Sequence, residues 1–312
     1  MPDAHKQIAL GLVGLGKIAR DQHLKAIAGY PGFDLVATAD PHARADGIAG
    51  YDSLADMLAA HPEIAAVSLC TPPATRSEIA AAALRAGRHV MLEKPPAPTV
   101  EAAEALKALA DEAGRTLFAA WHSRESRCVE AARAWLDGKA ILRASIDWRE
   151  DIRRWHPGQD WILAENGFGI FDPGINALSI LTALVPGQAE LREARFDIPA
   201  NRAAPIAARL DLRLPGDAPV DVTLDFLNSG AQVWDIRIET GEGAMTLREG
   251  GHRLEIDGQP VVTCDDAEYP RLYRRFAALI RDRKSDVDVE PLRLVAEAFA
   301  NAQCSVVDAF EF

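Results

Sequence analysis

The sequence predicts an α/β domain with a parallel, doubly wound sheet, followed by an α+β domain with an open, mostly antiparallel sheet. Three observations carry this reading. From Gln7 to about Trp121, short apolar runs alternate strictly with longer Ala/Leu-rich segments of helical spacing. A glycine-rich turn follows the first of those runs. Beyond Trp121, strand-like stretches follow one another with little helix between them. The expected division is 1–122 for the first domain and 123–312 for the second, with the last helix packing back on the first.

The elements follow in order. Ile8–Val13, Leu35–Ala39, Ala65–Cys70, His89–Leu92 and Thr116–Ala120 read as buried strands. Ile18–Ala28, Leu54–Ala60, Ser77–Ala86 and Val100–Ala113 read as the helices between them. Ser53 and Thr99 suit helix N-caps, and Gly87 and Gly114 suit helix ends. In the second half, a helix Val129–Leu136 leads to a strand Ile141–Trp148, and another helix starts near Asp172. Strands are then expected at Leu191–Ile198, Ala207–Leu214, Val220–Leu227, Val233–Glu239 and Ala244–Leu247. Helices at about Tyr269–Arg281 and Pro291–Gln303 complete the prediction.

Composition narrows the function classes. The 312 residues are 48% hydrophobic, enough for sizeable cores, and carry a formal net charge of −12. An acidic chain gains no counterion-release attraction to nucleic acid or to anionic lipid, so neither is an expected partner. The four cysteines, Cys70, Cys128, Cys264 and Cys304, have neither metal-ligand nor redox spacing, and read as reduced thiols in a cytoplasmic protein with no metal site. No apolar run spans a bilayer, and no signal peptide precedes the first strand.

Gly14-Leu15-Gly16-Lys17-Ile18-Ala19 fits G-x-G-x-x-G/A between a strand and a helix. Glycine there lets backbone N–H groups approach a pyrophosphate, the helix N-terminus adds partial positive charge, and Ala19 is small enough for helix–sheet packing. This is the dinucleotide-binding turn of a Rossmann domain; a plain structural turn is the alternative. Asp40 ends the second strand, about 20 residues further on, where a carboxylate accepts hydrogen bonds from ribose hydroxyls. The same charge repels a 2′-phosphate: like charges about 4 Å apart cost about 4 kcal/mol at an effective dielectric near 20. The expected cofactor is NAD, with NADP possible because His42 and Arg44 lie close in sequence. A turn-forming Asp before Pro41 is the simpler reading of Asp40.

Glu93-Lys94-Pro95-Pro96 ends a later strand. A lysine at the carboxyl end of a parallel strand points toward the crevice where doubly wound folds bind ligands, and Pro95 fixes the turn. The glycine loop, the acid after the second strand, Thr71-Pro72-Pro73 and Glu93-Lys94-Pro95, in this order, resemble the glucose–fructose oxidoreductase / inositol dehydrogenase (Gfo/Idh/MocA) family over essentially the whole chain. The resemblance implies cofactor contacts from Gly14, Gly16, Lys17, Ile18, Asp40, Thr71, Pro72, Glu93 and Lys94, with Lys94 also catalytic.

Asp172 and Asn176 are four residues apart at a helix start and share one face. The family usually places Asp and His there. Asn176 can hydrogen-bond but cannot shuttle a proton, which puts the acid–base role on Asp172 or Lys94. Gly16–His23, Thr116–Ser123, Arg153–Gln159 and Phe171–Ala177 resemble the branch of bacterial aldose 1-dehydrogenases that oxidise L-arabinose and D-galactose. That resemblance implies a sugar pocket of Lys94, Glu150, His156, Asp172 and Asn176, with His122 and Trp234 nearby. By themselves, Glu150, His156 and Trp234 read rather as a strand-edge charge, a loop histidine and a core aromatic.

The implied reaction is hydride transfer from C1 of a pyranose to the nicotinamide, giving an aldonolactone. Asp172 takes the hydroxyl proton and Lys94 orients the C1 oxygen, or the two exchange roles. Two rivals remain: another sugar or inositol dehydrogenase of the same family, and a sugar- or NAD-sensing regulator without chemistry. The open sheet also implies a homodimer or homotetramer.

Overall fold

The computed structural model describes residues 7–265 and 267–312, in two compact units. The first unit runs to His122 and resumes with Ala267–Val289; the second begins at Ser123 and includes Glu290–Phe312.

The first unit carries β1 (Ile8–Val13), β2 (Phe33–Ala39), β3 (Ala49–Tyr51), β4 (Ala66–Leu69), β5 (His89–Glu93) and β6 (Leu117–Ala120), all parallel, in the order β3-β2-β1-β4-β5-β6. Its helices are α1 (Leu24–Ala28), α2 (Leu54–Ala60), α3 (Pro73–Arg85) and α4 (Val100–Ala113). Ser53 accepts the Asp56 N–H and Thr99 the Ala102 N–H, so both cap as the sequence predicts; Gly114 ends α4 in left-handed conformation. The expected helix Ile18–Ala28 is instead a wider π-type turn over Ala19–His23 followed by α1.

The second unit begins with α5 (Arg127–Leu136), β7 (Ile141–Arg149), α6 (Ile152–Trp155) and α7 (Phe171–Leu184). β8 (Glu190–Pro199), β9 (Ala207–Arg213), β10 (Pro219–Asp225), β11 (Val233–Thr240), β12 (Gly243–Arg248), β13 (Arg253–Ile256) and β14 (Gln259–Thr263) follow. The chain returns to the first unit as α8 (Glu268–Asp282), then closes the second with α9 (Glu290–Asn301) and β15 (Gln303–Val307). The nine strands order as β14-β13-β12-β11-β7-β10-β9-β8-β15. Most pairs are antiparallel; β7–β10 and β8–β15 are parallel.

Two expectations are corrected here. The helix that joins the first unit is α8, not the last helix, α9. Both are amphipathic, and the sequence does not say which sheet each face will meet. Nor are all four cysteines free: Cys128 and Cys264 form a disulfide, with Cα atoms 6.2 Å apart, while Cys70 is buried and free and Cys304 exposed and free. Spacing rules detect pairs close in sequence, and these two are 136 residues apart.

Strand alternation sorts the first unit's core onto two faces, as a parallel sheet covered on both sides requires. Val13, Leu69, Leu92 and Leu117 join Met57, Leu84 and Leu106 on the α2–α4 side. Leu10, Met91 and Phe118 meet Phe33, Leu272, Tyr273 and Phe276 on the α1/α8 side. In the second unit, Ile146, Val222, Leu210 and Ile236 are buried, while the opposite face carries cross-strand ion pairs such as Arg143–Asp221 (3.2 Å) and Arg248–Glu255 (2.7 Å). Among the described residues, no helix is long and apolar enough to cross a membrane.

One half-buried histidine should make the fold acid-sensitive. His89 Nδ1 accepts the Thr116 N–H at 3.0 Å, a role only the unprotonated nitrogen can fill. Burial, then the nearby Arg115 charge, hold its pKa down at about 4. The unfolded chain therefore binds this proton at a higher pH than the folded one, and stability falls as pH drops from about 6.5 toward 4. The thermal midpoint should fall over that window. In a His89→Asn variant, whose amide oxygen keeps the acceptor, that slope should flatten; an unchanged slope would remove His89 as its source.

Candidate active site

In the first unit the glycine loop follows β1, the Thr71 turn follows β4 and the Lys94 turn follows β5, so all three sit at carboxyl ends of adjacent parallel strands, beginning at the β1–β4 pair. That is where an open α/β sheet reverses strand order and takes ligands. Gly14 has φ 88°, and a Cβ on it would lie 2.9 Å from the backbone of Cys70 and Thr71, so only glycine lets these turns approach. A Cβ on Gly16 would meet nothing within 4 Å; the loop's outer side is open for a pyrophosphate. The Asp40 carboxylate accepts the Leu15 N–H at 2.7 Å and the His42 N–H at 2.8 Å, which braces the loop. Burial opposes its charge, but these backbone donors and Ala43 hold its pKa below the usual value. Thr71 Oγ1 is buried without a hydrogen-bond partner, an orphaned group in the turn expected to touch the cofactor. The glycine cradle, Asp40 and this orphaned hydroxyl together fit a dinucleotide.

The remaining first-unit residues divide. Lys17 is exposed and ion-pairs with Asp21, Ile18 is half-buried, and Pro72 immediately precedes α3. Glu93, expected among the cofactor contacts, has its carboxylate turned inward instead: it accepts the Lys94 N–H at 2.8 Å and hydrogen-bonds His23 and Tyr269. Lys94 is half-buried at the turn, before a cis peptide bond to Pro95. His122 pairs with Glu268 at 2.5 Å and stacks on Tyr269. Sequence reasoning missed Arg76, which is 3% exposed. Its guanidinium donates to the carbonyls of Thr71, Glu93 and Pro95, tying the Thr71 turn to the Lys94 turn. An arginine four residues after Thr-Pro in a helix was the available signal.

In the second unit the structure brings Glu150, His156 and Trp234 into direct contact. Glu150, just past β7, is 2% exposed. One carboxylate oxygen lies 3.0 Å from His156 Nε2 and the other accepts Trp234 Nε1–H at 2.9 Å. Trp234 stacks on Trp148 across the β7–β11 pair, and Trp155 packs against it with centroids 5.1 Å apart. The ring N–H groups of Trp148 and Trp155 are buried and unpartnered. On α7, Asp172 and Asn176 are half-buried where the intervening Pro173, Gly174 and Ile175 are buried. Gly174 allows this close packing, since a Cβ would sit 2.7 Å from a Leu224 methyl. Asn176 Oδ1 is buried without a partner. The unit thus combines an aromatic wall, a buried carboxylate and orphaned polar atoms, a set suited to a neutral polyhydroxyl ligand.

The sequence profile described as "Oxidoreductase family, NAD-binding Rossmann fold" matches residues 8–121. The chain is 41% identical to galactose 1-dehydrogenase of Pseudomonas fluorescens over 97% of its length and 98% of that protein. A crystal structure of D-galactose-1-dehydrogenase from Rhizobium etli superposes with a TM-score of 0.94 at 49% identity, covering 98% of each chain. A 3-ketoreductase from Actinomadura kijaniata, in complex with TDP-benzene and NADP, has a TM-score of 0.83 at 18% identity over 98% of this chain and all of that one; it shares the fold. Glycine loop, Thr-Pro turn, Glu-Lys-Pro turn and second-unit sheet agree with these full-length matches: the chain belongs to the Gfo/Idh/MocA family of NAD-binding Rossmann-fold oxidoreductases.

Proposed function

We propose that the protein is an NAD-dependent aldose 1-dehydrogenase that oxidises the C1 hydroxyl of D-galactose and L-arabinose pyranoses to the aldonolactones. The full-length likeness to a galactose 1-dehydrogenase carries this reading, and the Glu150–His156–Trp234 cluster supports it. A carboxyl group hydrogen-bonds sugar hydroxyls while indole faces cover C–H surfaces. When bound, the oxidised nicotinamide supplies the hydride acceptor. Asp172 takes the C1 hydroxyl proton, and Lys94 orients the oxygen and stabilises its developing charge. Asn176 and His156 fix further hydroxyls. Gly14, Gly16, Asp40 and Thr71 hold the dinucleotide.

NAD is favoured over NADP because Asp40 presents a carboxylate where a 2′-phosphate would sit. Arg44 does not compensate: its guanidinium is engaged by Asp52 and by the carbonyls of Asp40 and Ala43. D-Galactose and L-arabinose share ring stereochemistry and differ at the C6 hydroxymethyl, so a site that does not grip C6 accepts both. D-Glucose, inverted at C4, leaves a polar partner unpaired and reacts less well. A homodimer or homotetramer built on the open sheet face completes the proposal.

The test is initial-rate reduction of NAD+ and NADP+ with L-arabinose, D-galactose, D-fucose, D-xylose, D-glucose and myo-inositol. Turnover with galactose or arabinose, little with glucose and a preference for NAD+ are expected. Turnover confined to inositol or glucose would place the protein elsewhere in its family.

A further inference from the structure

A second group of polar residues lies beneath the Lys94 turn, entirely within the first unit and out of reach of solvent. His23 is fully buried, as is Glu93 but for 3% of its surface. His23 Nε2 lies 3.0 Å from a Glu93 carboxylate oxygen that also accepts the Tyr269 O–H at 2.7 Å. His23 Nδ1 lies 2.7 Å from the Tyr273 oxygen, and the Tyr273 O–H is already donated to Ser68 Oγ at 3.2 Å. With that proton on Ser68, the tyrosine oxygen is open to accept from Nδ1, which also lies 3.4 Å from Ser68 Oγ. With both ring nitrogens donating, His23 is an imidazolium paired with the Glu93 carboxylate.

Charge balance around the pair agrees with that assignment. Burial opposes the His23 cation, but Cys70, Tyr273 and Glu93 outweigh it and hold its pKa well above the usual imidazole value. Burial likewise opposes the Glu93 anion, yet His23, His122 and Tyr269 hold its pKa at about 2. Also near the pair are Ser68, Glu268 on α8, paired with His122, and the Arg76 guanidinium from α3, bound to the Glu93 carbonyl.

The other oxygen of the same carboxylate accepts the Lys94 N–H at 2.8 Å. Arg76 holds the carbonyls on either side of Lys94, those of Glu93 and Pro95. The main chain around the lysine is thus held at three points, the Glu93 carbonyl, the Lys94 N–H and the Pro95 carbonyl. Ordinary turns leave such groups to water. We propose that Glu93, held by His23 and Tyr269, is a positioning residue for the reaction: it fixes where the Lys94 main chain leaves β5 and so governs kcat without contributing to the binding of sugar or dinucleotide. This rests on the reading that Lys94 acts on the substrate.

The experiment compares Tyr269→Phe, Glu93→Gln and Lys94→Ala in the full-length enzyme, measuring kcat and KM for sugar and NAD+, kcat against pH, and thermal midpoint. Tyr269→Phe keeps the ring and the Glu93–His23 pair and removes one donor, so it remains informative where Glu93→Gln does not fold. It should lower kcat by about tenfold to a hundredfold, the range that small misplacements of a reacting group produce, with each KM within roughly twofold of the parent. Loss of a donor also lets Glu93 take up a proton at higher pH, so the acid limb of kcat should move up in pH; in Glu93→Gln the loss should be independent of pH on that limb. Parental kcat and pH profile in both variants, with Lys94→Ala inactive, would overturn the positioning role and leave the lysine reading intact. Parallel falls in kcat, substrate affinity and thermal midpoint with an unmoved acid limb would also overturn it, as the mark of a purely structural network. A fully active Lys94→Ala would remove the lysine reading, and the proposal with it.

Discussion

Alanine at position 94 is expected to lower kcat by about 10²- to 10³-fold, the usual loss when one preorganised group facing a developing oxyanion is removed. The dinucleotide should still bind, because the glycine loop, Asp40 and the Thr71 turn are built from other segments. NADH binding, followed by fluorescence, should therefore change little while turnover collapses. Lys94→Arg should not restore the rate: a planar fork cannot replace a compact ammonium at one oxygen. Near-normal kcat in Lys94→Ala would end every version of the mechanism in which this lysine touches C1.

Asparagine at position 172 is expected to cost about 10²- to 10⁴-fold in kcat, the range associated with a lost general base. The substitution keeps the shape and the hydrogen-bonding capacity of the side chain at the start of α7, so KM for the sugar should move far less than kcat. Only the capacity to take a proton disappears. This variant separates the two assignments of the base. If Lys94 takes the proton, Asp172→Asn retains most of its turnover; if Asp172 does, the loss is of the expected size and persists across the pH range.

The first unit was legible in the sequence because its strands are buried on both faces and stand out as continuous apolar runs. Edge strands were not. Ala49–Tyr51 is three residues long, and Gln303–Val307 is exposed along nearly its whole length, so neither shows the pattern that burial imposes. β13 and β14 are short and carry charge or proline, and they too passed unnoticed.

The site divided in the same way. Gly14 and Asp40 announce themselves through local geometry. Glu150, His156 and Trp234 carried no signal of their own and were found through resemblance; their contact joins a strand end, a short helix and a neighbouring strand. His23, Arg76 and Tyr269 were missed because nothing local marks a polar side chain as buried. Burial is decided by partners up to 250 residues away, as for His23 and Tyr273.

The return of α8 to the first unit has a consequence for biosynthesis. A ribosome that has completed β6 has made every strand of the first sheet, but not the helix that supplies Leu272, Tyr273 and Phe276 to one of its faces. At about 5–20 residues per second, that helix emerges roughly ten to thirty seconds later. Until then the emerging chain presents Leu10, Phe33, Met91 and Phe118 with only the α1 part of their cover, and Glu93 without Tyr269. The nascent N-terminal half is thus a natural client for chaperones that hold apolar surface, and a protein cut after residue 122 would carry that exposed face permanently.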